Sequence, residues 1–241
     1  MVALAVVGVT AVVAQLLGWR AVFVAAAAAM LLLAAILRLV LPRVPGTERL
    51  PYPALLRSVL ELVKGEPLLR RRMLLGAAAF GSFSVFWTSL AFLLSGAPYH
   101  YGTAAIGRFG LAGPAGGTAA PVAGRLADRG RGRGRLAMSG SLVMLLASWA
   151  FLAFGTRSVV ALIVGIAALD PGVQAMHISK QRAIYSLHGR ARSRLTTAYM
   201  VAYFLGGVVL SAATSALYAS GGWGVVCVLG RQPLRSVSRR A

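Results

Sequence analysis

Gly124-Arg125-Leu126-Ala127-Asp128-Arg129-Gly130-Arg131-Gly132-Arg133-Gly134-Arg135 is a basic, glycine-punctuated stretch with a long apolar segment on each side. Arginines at this density do not rest in hydrocarbon, and the flanks are too apolar to rest in water. The stretch therefore reads as a hairpin joining two membrane helices, and the rest of the chain can be oriented from it.

Composition agrees. The 241 residues are 58% hydrophobic and 12% charged, with a net charge of +20, and the mean hydropathy is +0.76; a soluble domain carries about 25% charged residues. An isoelectric point near 11.8 suggests a nucleic-acid binder at first sight. The basic residues fall in bursts between apolar runs, however, and no continuous basic face has aromatics interleaved for base stacking. Nucleic acid is thus set aside in favour of a lipid bilayer. The single cysteine, Cys227, excludes an intrachain disulfide, and no Cys/His cluster has metal-binding spacing. No nucleophile stands with a base and no phosphate loop or other cofactor motif is present: the hairpin glycines lie between two spans, not between a strand and a helix. The expectation is a non-enzymatic protein without metal or cofactor.

A membrane helix needs about 20 mostly apolar residues. On that measure the sequence predicts an all-α, polytopic bundle with spans at about 2–17, 21–41, 73–94, 104–123, 136–154, 159–179 and 195–218. A stump follows at 225–230, too short to cross, and then a basic tail at 231–241 expected to lack regular structure. Arg38 near the end of the second span can reach the interface. The segment 43–72 is polar and proline-marked. Within it Leu56, Val59, Leu60 and Val63 share one helical stripe and Arg57, Glu61 and Lys64 another, which fits a helix lying on the membrane surface or packed on the bundle.

The loop charges set an orientation. Arg43, Arg49, Arg57, Lys64, Arg70, Arg71 and Arg72 lie between spans two and three. Arg125, Arg129, Arg131, Arg133 and Arg135 lie between four and five, and Lys180, Arg182, Arg190, Arg192 and Arg194 between six and seven. The alternate loops hold only Arg20 and Arg157, so the basic loops, the hairpin among them, are expected on the cytoplasmic face of the plasma (inner) membrane. Arg231, Arg235, Arg239 and Arg240 break the pattern, since they follow a stump that begins on the outer side. Either the C-terminus folds back, or the reading frame departs from a final helix near Gly230; the abrupt end of the apolar run favours the second.

Gly124-x-Leu126-Ala127-Asp128-Arg129 between two spans resembles the signature loop of the major facilitator superfamily. Four further stretches are similar to its sugar and drug efflux branch: Gly18-Trp19-Arg20-Ala21-Val22-Phe23, Ser84-Val85-Phe86-Trp87-Thr88, Asp170-x-Gly172-Val173-Gln174-Ala175-x-His177, and Arg192-Ser193-Arg194-Leu195-Thr196-Thr197-Ala198-Tyr199-Met200. The resemblance covers the chain to about Gly230. It implies a fold of twelve spans in two halves, of which these would be the fifth to eleventh with the stump as the twelfth. Residues 1–42 would then close the first half, 43–72 form a cytoplasmic linker, and 73–230 form the second-half bundle. The first four spans would be missing, and a complete site would need them.

The same resemblance gives Gly124, Asp128, Arg129 and Arg133 the role of a latch between cytoplasmic helix ends, with Arg131 standing where the family prefers glycine. A basic loop that only fixes orientation is the simpler alternative. Asp170 is the one acidic residue within an apolar span, and such groups are costly enough to mark function by default. At 3.6 residues per turn it shares a stripe with Gln174, His177 and Gln181, which suggests a proton relay; satisfying backbone groups freed by Pro171 is the structural alternative. Arg108, within span four, either pairs with Asp170 or reaches the outer interface. Trp87, Thr88, Tyr199 and Tyr203 could line a cavity for a small-molecule substrate, although aromatics at helical spacing are more often packing. The expectation is an efflux-type, proton-coupled secondary transporter in truncated form. The rivals are a non-transporting membrane remnant or helical subunit, and a seven-helix receptor, which the motif order disfavours.

Overall fold

In hydrocarbon every backbone N–H and C=O must find its partner inside the protein, and long apolar segments meet that demand as helices. The computed structural model describes residues 17–42, 51–110, 133–185 and 192–238, and all regular structure among them is helical. The helices are α1 (Trp19–Val40), α2 (Tyr52–Gly65), α3 (Pro67–Ser95), α4 (Thr103–Phe109), α5 (Arg133–Ala153), α6 (Val159–Tyr185) and α7 (Arg192–Ser238). Of these, α1, α3, α6 and α7 are long and apolar enough to cross a membrane, and α5 contributes the shorter apolar helix Met138–Ala153. The all-α membrane bundle expected from the sequence is the architecture found. Predicted spans two, three, five, six and seven correspond to α1, α3, α5, α6 and the first part of α7. Predicted span one and most of span four lie outside the described residues.

The chain divides into two units, Met1–Pro51 and Tyr52–Ala241. In the first, α1 opens after Gly18, whose φ of 81° suits glycine, and carries Arg38 in its last turn. The second unit is built on two close helix pairs, α3 with α7 and α5 with α6. Small residues let the first pair approach: a Cβ on Gly206 would stand 2.6 Å from the Ala77 Cα of α3, inside van der Waals contact. The main core gathers Phe86, Leu90 and Leu94 of α3 with Leu145, Trp149 and Leu152 of α5 and Leu162, Ile166 and Leu169 of α6.

Aromatic donors tie the elements across this core. Trp149 Nε1 donates to Ser82 Oγ at 2.6 Å, joining α5 to α3. Tyr99, in the turn after α3, donates to the Gly155 carbonyl at 2.5 Å, joining two loops at one end of the bundle. Burial, with neighbouring Tyr101 adding to it, raises the Tyr99 phenol above its ordinary value of 10.0, which keeps it a donor.

One expectation is narrowed and another corrected. The stripe foreseen on α2 is split: Val59, Leu62 and Val63 pack with Leu69, Leu195 and Tyr199 of α3 and α7, whereas Leu56 and Leu60 remain 48% and 60% exposed. The C-terminal stump and its unstructured tail are also replaced. At Gly222 (φ 61°, ψ −155°) α7 breaks in a conformation open to glycine, then continues as helix through Arg231 to Ser238. Trp223, Val226, Cys227, Gly230 and Leu234 make a buried stripe at helical spacing. Trp223 Nε1 donates to the Leu152 carbonyl at 2.8 Å, and Gly230 sits so close to the Trp149 ring that any side chain there would collide with it. The segment thus folds back along α5, and the basic residues Arg231 and Arg235 belong to a packed helix.

Candidate functional site

Asp170 lies mid-way along α6, which opens on Ser158 with its Oγ accepting from the Ala161 N–H at 3.2 Å and runs on through Pro171. The residue is 6% exposed, and its Oδ1 accepts from Trp87 Nε1 of α3 at 3.4 Å. That is a long hydrogen bond from a neutral donor, so the carboxyl is held in place only weakly. Arg108 is exposed on α4.

Two turns further along α6, His177 meets α7. Its Nδ1 lies 3.2 Å from Tyr199 Oη, and its ring centroid lies 4.8 Å from that of Tyr203. Tyr203 in turn stacks on Phe80 of α3 at 4.3 Å. Thr88 Oγ1 and Ser211 Oγ share a hydrogen bond of 2.7 Å between α3 and α7. The structure therefore brings Trp87 to Asp170, and Tyr199 and Tyr203 to His177. It does not join these two places through Gln174, which is exposed between them. Gly124, Asp128 and Arg129 of the signature loop lie outside the described residues, and Arg133 is the first residue of α5.

Sequence reasoning passed over Ser82, Ser211 and above all Lys180. The sequence assigned Lys180 to a loop, but α6 continues to Tyr185, and the lysine is 0% exposed. The signal was available in its spacing, three residues after His177 on the same helical face. Arg72, counted only as a loop charge, stands in α3 and donates from Nη1 to Met138 Sδ of α5 at 2.6 Å. Among the described residues no three His, Cys, Asp or Glu side chains gather as metal ligands would.

Comparison with known proteins supplies the context for this geometry. A family model described as Major Facilitator Superfamily matches residues 1–209. The uncharacterized transporter YgaY of Escherichia coli O157:H7 is 44% identical over 222 residues, 92% of this chain and 56% of that protein. YgaY of Escherichia coli K12 matches at the same identity and coverage. The probable transporter SCO4007 of Streptomyces coelicolor is 35% identical over 216 residues, 89% of this chain and 50% of the relative. The chain spans about half the length of the curated relatives it matches.

Proposed function

This chain belongs to the major facilitator superfamily of membrane transporters, and on that premise we propose that it supplies the second-half bundle, with two preceding helices, of a proton-coupled secondary transporter that exports a small molecule. The observation that carries the reading is Asp170: a carboxyl 6% exposed, inside an apolar helix, weakly held by one indole N–H. A carboxyl so placed can take up and release a proton with little rearrangement, and intramembrane acids of this kind serve ion and proton pathways. His177, linked to Tyr199, is a second proton-exchanging group on the same helix. Trp87, Thr88 and Tyr203 offer walls of aromatic and hydroxyl character suited to an organic solute. Gln174 faces out of the described bundle, where helices completing the fold would meet it. The basic loops lie in the cytoplasm of the plasma membrane, and Gly124, Asp128, Arg129 and Arg133 act as the latch.

Reconstitution into liposomes under an imposed proton gradient tests the whole reading. Transport of solute against its own gradient is expected when the bundle is complete, and Asp170→Asn is expected to uncouple it from the proton gradient. Unchanged proton coupling in Asp170→Asn rules out the relay. No flux from this chain alone, with flux restored by the complementary helices, assigns transport to the completed bundle.

A further inference from the structure

Where α3 and α7 begin and α6 ends, Lys180 is 0% exposed, and among the described residues its Nζ has no hydrogen-bond partner. Among the described residues the charge that acts on it is another cation, the Arg72 guanidinium. Lys180 acts in turn on the His177 imidazole, and Arg72 on the Tyr199 phenol, so the four side chains form one electrostatic cluster. Packing links three of the four, with Lys180 one turn beyond His177 on α6. The Tyr199 ring covers Gly76, one turn after Arg72, where an added Cβ would come within 3.0 Å of Oη, and Oη meets His177 Nδ1. Met138 Sδ, a neutral thioether, occupies one Arg72 N–H and leaves other donors of the guanidinium free of it. Of the described carboxylates, Glu61 pairs with Arg57, Asp170 takes Trp87, and Glu66, just before α3, is engaged as well.

A buried cation with a second, half-buried one acting on it is costly unless an anion joins them. We propose that Arg72 and Lys180 form a binding site for an oxyanion, a carboxylate or phosphate group, with the hydrogen-bonded Tyr199–His177 pair offering one neutral donor beside it. A forked guanidinium and a point-charge ammonium together suit the two chemistries of such a group. The inference rests on the transport reading only in making that group part of the cargo; a lipid headgroup phosphate carries the same chemistry.

The test reads binding, not flux. The full chain is placed in phosphatidylcholine nanodiscs and its thermal unfolding followed against benzoate, phenyl phosphate and, as the neutral match, benzamide. A saturable rise in Tm with the two anions but not with benzamide is expected. Lys180→Met, which removes the unpartnered charge without removing bulk, should weaken the anion's affinity roughly tenfold to a hundredfold. Arg72→Gln should do the same, and it carries the test if the first variant does not fold. Stabilisation by phosphatidylglycerol in place of the soluble anions, abolished by the same substitutions, assigns the site to a headgroup. No response to any anion or anionic lipid, an equal response to benzamide, or an unaltered response in both variants overturns the proposal. Anion binding by a chain that carries no flux even in the completed bundle would sink the transport reading and leave the site standing.

Discussion

Tyr99 shows how far one side chain can be read from physics. Its hydroxyl bridges two turns by donating to the Gly155 carbonyl, and Tyr99→Phe should lower stability by about 1 kcal/mol, the ordinary net worth of such a bond. The pH dependence follows from the raised phenol. Its contribution is fully present below the unfolded value of 10.0 and is lost as pH rises through the folded one. Melting curves between pH 8 and pH 11 should therefore show a steeper decline for the natural chain than for the phenylalanine variant. Trp149 gives a sharper case, because its partner Ser82 is 0% exposed. Trp149→Phe leaves the buried hydroxyl without its indole, at about 1–3 kcal/mol. Adding Ser82→Ala should recover part of that loss, so the double-mutant cycle should return a favourable coupling between the two; additive losses would show that the bond carries no stability. Neither partnership was legible beforehand: the sequence marks Trp149 as apolar and Ser82 as one of several span-three hydroxyls, and only the fold pairs them. Asp170 was legible, because a lone acid in a hydrophobic run announces itself whatever it touches.

At the scale of helices, two glycines fail for different reasons when replaced. Gly206 lets α7 lie against the backbone of α3, and a methyl there would drive Ala77 away. Gly206→Ala should cost about 1–3 kcal/mol through overpacking and should loosen the α3–α7 pair. Gly222 has nothing within 4 Å of an added Cβ, so its cost is torsional. Gly222→Ala should also cost about 1–3 kcal/mol, through a backbone conformation that is nearly glycine's alone. Chemical denaturation ranks both variants, and crosslinking between cysteines placed on α3 and α7 separates them: only the Gly206 variant should lose the crosslink. The spans themselves were readable because hydrocarbon thickness sets a length that sequence either meets or does not. The end of α7 was not. Counting consecutive apolar residues hides a helix whose buried residues recur at 3.6-residue spacing through Arg231 and Arg235, and the partners that bury them, Trp149 and Leu152, lie in α5. The α2 stripe was readable only in part for a similar reason. Two apolar faces are available on that helix, and only the position of α3 and α7 selects Val59, Leu62 and Val63.

For the second unit as a whole, the geometry fixes which ends share a side of the membrane before any charge is counted. Arg72 at the start of α3 reaches Met138 near the start of α5, so those two ends lie together. Tyr99 after α3 reaches Gly155 after α5, so the opposite ends lie together as well. Lys64, Arg70, Arg71, Arg192 and Arg194 fall on the first side and Arg157 on the second, and the positive-inside rule predicts that the first side faces the cytoplasm. Cysteine labelling tests this without any assumption about transport. Cys227 is 5% exposed and gives little background. Arg71→Cys and Ser193→Cys, both at exposed positions, should react with a membrane-impermeant maleimide only after cells are permeabilised. Gly102→Cys and Arg157→Cys, also at exposed positions, should react on intact cells. The reverse pattern would invert the bundle in the membrane. Mixed labelling of Gly102→Cys and Arg157→Cys would break the pairing of ends that the Tyr99 hydrogen bond requires, and mixed labelling of Arg71→Cys and Ser193→Cys would break the seating of Tyr199 on Gly76 that brings Arg72, His177, Lys180 and Tyr199 to one face.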